Sequence, residues 1–124
     1  MFRYFNPNPT KNRRSSDCAI RALSKVLNIS WDDAFDILAD NAKDMGDTMD
    51  SKVVMTATLR QFGFFKENLP HTCPDCLTVK EFCKMYPVGE YILGTQTHIV
   101  TVIDSDYFDV WDSGDEIVDC FWTR

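Results

Sequence analysis

Two stretches of the chain hold residues able to do nucleophilic chemistry. In RRSSDCAIRALSKVL, residues 13–27, Cys18 follows a run of helix-capping residues and opens an apolar helix. With Asp17 or Ser16 as the N-cap, Cys18 falls at the first or second helical position. A helix N-terminus carries about half a positive charge and several unpaired N–H groups, and both favour thiolate over thiol. The same N–H groups can hold the oxyanion of a tetrahedral intermediate. Asp17 acts in the opposite sense unless capping occupies its carboxylate.

The second stretch is HIVTVIDSDYFDVWD, residues 98–112. A three-residue loop at Asp104, Ser105 and Asp106 pairs Ile103 with Tyr107, Val102 with Phe108, Val100 with Val110 and His98 with Asp112. Opposed Cβ atoms in a sheet lie about 4.5–5.5 Å apart, a distance from which a carboxylate accepts an imidazole N–H. A two-residue loop sets His98 against Trp111 or Ser113 and mixes polar with apolar positions, so the three-residue loop is the expected one. Each feature also has a plainer meaning. A lone helical cysteine is more often a small core residue, and a histidine beside a carboxylate can be a structural ion pair.

The order of these residues is a cysteine at an early helix N-terminus, a histidine at the start of a late strand and an aspartate on the next strand. In this the chain resembles the papain-like cysteine peptidases. Within that superfamily it most resembles the C39-like, bacteriocin-processing peptidases and small phage or bacterial relatives. The residues that carry the resemblance are SSDCAIRAL around Cys18, THIVTVID around His98 and YFDVWDSGDE around Asp112. It implies Cys18 as nucleophile, His98 as general base and acid, and Asp112 as the residue that orients the imidazole. The implied activity is cleavage of a peptide or isopeptide bond in a peptide or protein substrate. The family usually has a Gln a few residues before the nucleophile; here Asn12 stands six residues before Cys18 and is the oxyanion candidate. The C-G-S-C-W pattern of papain itself is absent. Two other functions use the same residues: a papain-fold binding or inhibitory module without catalysis, and a transglutaminase-like amide-transfer enzyme.

The remaining cysteines raise two further possibilities. His71, Cys73, Cys76 and Cys83 form a conceivable zinc set, and zinc prefers four tetrahedral ligands. No second CxxC exists and a turn at 73–76 accounts for the residues, so no metal and no other cofactor is expected. A thioredoxin-like role is disfavoured because the CxxC does not open a helix in a βαβ unit. Five cysteines are an odd number, and no disulfide framework is expected. Cys120 alternates with Phe121 on a strand and reads as buried.

The elements that must position Cys18, His98 and Asp112 follow from periodicity and caps. Residues 1–14 read as an extended arm. A first helix over about 17–28 buries Ile20, Leu23, Val26 and Leu27. A second starts at Ser30, with Asp33 at capping-box spacing, and stops at Gly46; a third covers about 51–62 and ends at Gly63. A fourth opens on the Thr78–Glu81 capping box and closes before Pro87. Antiparallel strands are expected over about 90–94, 98–103, 107–112 and 116–122. The expected fold class is therefore α+β, with N-terminal helices packed on one face of a C-terminal antiparallel sheet, and the resemblance implies that this is one papain-like domain spanning 1–124. Trp111, Trp122, Phe108 and Phe121 are expected in the core or on a sheet face, Trp111 shielding the histidine–aspartate pair from water.

Composition narrows the partners. The chain has 124 residues and a formal net charge of −6. Lys11, Arg13 and Arg14 are its only concentrated positive charge, which argues against nucleic acid as a partner. The acidic residues Asp32, Asp33, Asp36, Asp40 and Asp44 spread over a solvated helix surface. No apolar run reaches the ~18–20 residues of a membrane span, and MFRYFNPNPT lacks a signal-peptide core, so no membrane partner and a cytoplasmic location are expected. Oligomeric state is left open.

Overall fold

The computed structural model describes residues 1–12, 15–70 and 72–124; Arg13 and Arg14 of the basic cluster and His71 of the conceivable zinc set lie outside them. In chain order the elements are β1 (Phe2–Tyr4), α1 (Cys18–Leu27), α2 (Trp31–Met45), α3 (Lys52–Arg60), β2 (Phe65–Asn68), α4 (Val79–Met85), β3 (Glu90–Gly94), β4 (Ile99–Ile103), β5 (Asp106–Asp109) and β6 (Cys120–Thr123). Three of the helices start on side-chain caps. Ser30 accepts the Asp33 N–H, Ser51 accepts those of Val53 and Val54, and Thr78 and Glu81 close a reciprocal capping box. α1 and α2 end on left-handed residues, Asn28 (φ 54°) and Gly46 (φ 64°), whose N–H groups return to carbonyls of the last turn.

The strands form one mixed six-stranded sheet in the order β1-β5-β4-β3-β6-β2. β1 runs parallel to β5, and the other pairs are antiparallel. This corrects the expectation of a purely antiparallel sheet of three or four strands. The two edge strands, β1 inside the N-terminal arm and β2, are three and four residues long and largely exposed. They carry no alternating buried pattern from which a strand could be read. The last strand is also shorter than expected.

Consecutive strand residues face opposite ways, and the core divides accordingly. Ile92, Ile99, Cys120 and Trp122 pack with α1, α2 and α3, through residues such as Leu23, Leu38 and Leu59. Their neighbours Leu93, Val100 and Phe121 pack with Val79, Phe82 and Cys83 of α4. Helices therefore cover both faces, not one. Trp122, Phe64, Phe82, Leu23 and Leu38 are fully buried, each stabilising the fold by about 1.5–3 kcal/mol through burial alone. Among the described residues no helix is long and apolar enough to cross a membrane.

The β4–β5 hairpin departs from the expected register. Ile103 pairs with Asp106, Val102 with Tyr107 and Thr101 with Phe108. The turn is therefore the two residues Asp104 and Ser105, both at positive φ (47° and 72°). Two such residues give a turn whose twist matches the strands. This one-residue slip decides which aspartate reaches His98.

Candidate active site

Cys18 is the first residue of α1. Its N-cap is Asp17, but Asp17 makes no side-chain cap hydrogen bond, so capping does not occupy its carboxylate. The carboxylate is instead held by the Arg21 guanidinium, by Asn8 Nδ2 at 3.2 Å and by Trp31 Nε1 at 2.9 Å. The first-turn N–H groups are thus not consumed by the Asp17 side chain.

His98 lies one residue before β4 and is nine-tenths buried. Its ring and the Ile99 N–H face the Cys18 sulfur closely enough to favour the thiolate. Its Nε2 lies 2.5 Å from Asp109 Oδ2, which leaves Nδ1 for the sulfur. Asp109 is 1% exposed and fully engaged: Ser113 Oγ donates to Oδ2 at 2.7 Å, while Val110 N–H at 2.8 Å and Arg21 Nη2 at 3.2 Å donate to Oδ1.

The residue expected to orient His98 was Asp112, and the structure corrects this. Asp112 accepts the Tyr107 hydroxyl and the Gly114 N–H, at 3.0 Å, and does not bond His98. The cause is the two-residue turn, which brings Asp109 to the His98 end of β4 and carries Asp112 past it. The same shift sets the Trp111 ring 4.9 Å from the His98 ring. Trp111 is 45% exposed, so it covers the imidazole from the solvent side and is not a core residue. Asn12 is exposed, on the segment ahead of α1.

Sequence reasoning missed Asp109, Arg21, Asn8, Trp31 and Ser113. One signal was available. Asp17 and Arg21 stand four apart, the spacing of an ion pair on one helix face. Arg21 is 5% exposed, binds Asp17 and reaches Asp109, 88 residues further along the chain.

The electrostatics follow from these contacts. Burial raises the Cys18 thiol, but the hydrogen bond and charge of His98, the Ile99 N–H and the Arg21 charge outweigh it, and its pKa is lowered. Burial alone would lower His98; the bonds and charges of Asp109 and Cys18 reverse this and raise it to about 9. Burial likewise opposes ionisation of Asp109, yet the bond and charge of His98, with Ser113 and Val110, hold its pKa below the usual carboxylate value. These shifts act together to favour a thiolate–imidazolium pair resting on a carboxylate. The buried thiols Cys83 and Cys120 move the other way, raised chiefly by burial.

Cys73 and Cys76 are joined in a disulfide, with Cα atoms 4.6 Å apart, so the expectation that no disulfide forms is corrected. The turn over 73–76 brings the two Cβ atoms within bridging range. As a disulfide neither sulfur is a thiolate ligand, and Cys83 belongs to the α4 core. Among the described residues no group of three or more His, Cys, Asp or Glu could hold a metal ion.

Two grooves are lined by residues that neighbour Cys18 and His98 in the chain. One, of about 650 Å³, runs from Ser16 and Asp17 over Ile20, Phe35, Ala39 and Met49, and is mostly apolar. The other, of similar volume, lies beside Thr95–Thr97, just before His98, and is rimmed by Asp115, Glu116 and Asp119. Compared with protein-family models, with curated proteins and with solved structures, the chain finds no match in any of the three.

Proposed function

We propose that the chain is a papain-like cysteine hydrolase that cleaves a peptide or isopeptide bond with Cys18, His98 and Asp109. The observation that carries this reading is the relay itself: a half-buried thiol at a helix N-terminus beside an imidazole whose Nε2 is held 2.5 Å from a buried carboxylate. A core cysteine needs no such partner, and a binding module needs no thiolate. Support for the papain-like fold comes from the order of parts, with the nucleophile on an early helix end and the base and its carboxylate on a late hairpin.

The chemistry follows from the resting ion pair. The Cys18 thiolate attacks the carbonyl carbon, and the π electrons move onto oxygen. N–H groups at the start of α1 donate to that oxyanion, with the Asn12 amide as a further candidate donor. His98 gives its proton to the leaving amine, the C–N bond breaks, and a thioester remains on Cys18. Neutral His98 then takes a proton from water, the hydroxide oxygen attacks the thioester, and the acid product leaves as the thiolate and imidazolium re-form. Asp109 stays ionised and fixes the ring. The apolar groove beside Asp17 is where the substrate chain would lie on one side of the scissile bond.

The test has two readouts. In native protein at about pH 6–7 iodoacetamide should label Cys18 ahead of Cys83 and Cys120, because its thiolate fraction is the largest. Incubated with a peptide library, wild-type protein should generate new amino termini that Cys18→Ala does not. Equal labelling of the three thiols, or identical termini from both proteins, would overturn the proposal.

A further inference from the structure

We propose that Arg21 is a positioning residue for this site: its guanidinium ties the carboxylate that starts the nucleophile's helix to the carboxylate that orients His98. The proposal rests on reading Cys18 as the nucleophile. Nη1 binds Asp17, and Nη2 reaches Asp109 Oδ1 at 3.2 Å. All three residues are at most 5% exposed. A planar fork with donors on both ends can span two carboxylates; an ammonium is a point charge and serves one well.

Charge makes the link functional as well as structural. In the reactive state the buried cluster holds Asp17, Asp109 and the Cys18 thiolate against the His98 imidazolium. Without Arg21 that is three negative charges against one positive. Asp17 is adjacent to Cys18, and its unneutralised charge would oppose thiolate formation directly. The other groups near Cys18 do not replace Arg21. From α2, Trp31 offers Asp17 only an indole N–H, and from the arm Asn8 offers only an amide. Lys25, one turn further along α1, lies over the rings of Phe5 and Phe108, 5.1 and 4.2 Å from their centroids. The Arg21 charge is one of the causes that lower the Cys18 pKa.

The experiment measures the pH midpoint of Cys18 alkylation by iodoacetamide, site by site in mass spectra. It compares wild type, Arg21→Gln, Arg21→Lys and Asp17→Asn/Arg21→Gln, each checked for folding by near-ultraviolet circular dichroism. Arg21→Gln should raise the midpoint by about one pH unit or more, the scale of a lost opposite charge. The double variant, which also removes the Asp17 charge, should return most of that shift. Arg21→Lys should fall between wild type and Arg21→Gln. If Arg21→Gln does not fold, Arg21→Lys carries the test, with a midpoint raised by about half a unit. A folded Arg21→Gln with the wild-type midpoint would overturn the proposal, as would a double variant no better than the single one. A wild-type Cys18 that reacts no faster than Cys83 would sink the nucleophile reading instead, so the two failures are distinct.

Discussion

Replacing Asp109 by Asn tests the corrected geometry most directly. The substitution keeps the side chain's size and removes the charge 2.5 Å from His98 Nε2. Raising an imidazole from its usual 6.5 to about 9 corresponds to ~3 kcal/mol of preference for the charged form. Asp109 and Cys18 share that preference. If Asp109 supplies about half, its loss moves the alkaline limb of turnover, where His98 lacks the proton it must give the leaving amine, down by about one pH unit. A less protonated imidazole also stabilises the thiolate less, so the acid limb moves up and the reactive window narrows from both sides. Turnover should fall on the order of 10²–10⁴-fold, because an amide can also hold the ring in the wrong tautomer. The protein should still fold. Arg21 retains Asp17, and the loss of one buried partner, about 3–5 kcal/mol, is set against the roughly 5–15 kcal/mol of an ordinary domain. The assay is kcat/KM for a cleaved peptide from about pH 4 to 10, with Cys18 alkylation reporting the acid limb alone and Asp112→Asn as the control. Asp112→Asn removes a charge that meets Tyr107 and Gly114 and not His98, and should keep both limbs within about half a unit. If Asp112→Asn collapses the profile while Asp109→Asn preserves it, the register argument and the assignment of the orienting carboxylate are both wrong.

Two further outcomes follow. In Cys18→Ala the histidine keeps only Asp109, so its folded-state pKa still lies above the unfolded value. That stabilisation is complete below the unfolded pKa of about 6.5 and is lost as pH rises through the folded one. Urea midpoints of Cys18→Ala should therefore fall between about pH 6 and 9.5, and a flat response would contradict the buried ion pair. Separately, thiol titration of denatured, unreduced protein should count three free cysteines, rising to all five after reduction. Five before reduction would mean that Cys73 and Cys76 are not bridged.

What could be read from the sequence was local. Ser30, Ser51 and Thr78 announce helix starts because a short hydroxyl side chain meets backbone N–H groups within three residues of itself. Cys18 and His98 could be named because each sits at an element boundary, and the structure brings them together. The hairpin register could not be read in the same way. Asp104-Ser105 is not one of the dipeptides that usually mark a two-residue turn, although both residues adopt the positive φ it needs. The choice between loops rested on keeping apolar pairs together, and the two-residue loop was disfavoured for bringing Asp109 against an apolar strand. That rule holds where burial is the only demand on a strand. It fails at Asp109, which is 1% exposed because its partners, not its hydrophobicity, allow it to be buried.

That failure points to why the network deserves a functional reading. Asp17, Arg21, His98 and Asp109 are four ionisable side chains, each at most 9% exposed, in a chain of 124 residues. Desolvating such groups costs several kcal/mol per ion, and well-packed apolar residues of similar volume are often as stable or more so. Stability alone does not account for four of them converging on one cysteine. Three of them would serve the proposed thiolate. Asp109 holds the imidazole, the imidazole holds the sulfur, and Arg21 neutralises the carboxylate that stands next to it. In the proposed hydrolase the nucleophile comes from residue 18, and its base and orienting carboxylate from residues 98 and 109. The site therefore exists only once α1 has docked on the β4–β5 hairpin, where the Thr101 hydroxyl donates to the Ala22 carbonyl at 2.8 Å and Lys25 covers Phe108. Loosening that seam, for instance by Thr101→Val, should slow Cys18 alkylation more than it slows labelling of the α4 thiol Cys83. Equal slowing of the two would mean that the reactivity of Cys18 does not depend on how the helix is seated.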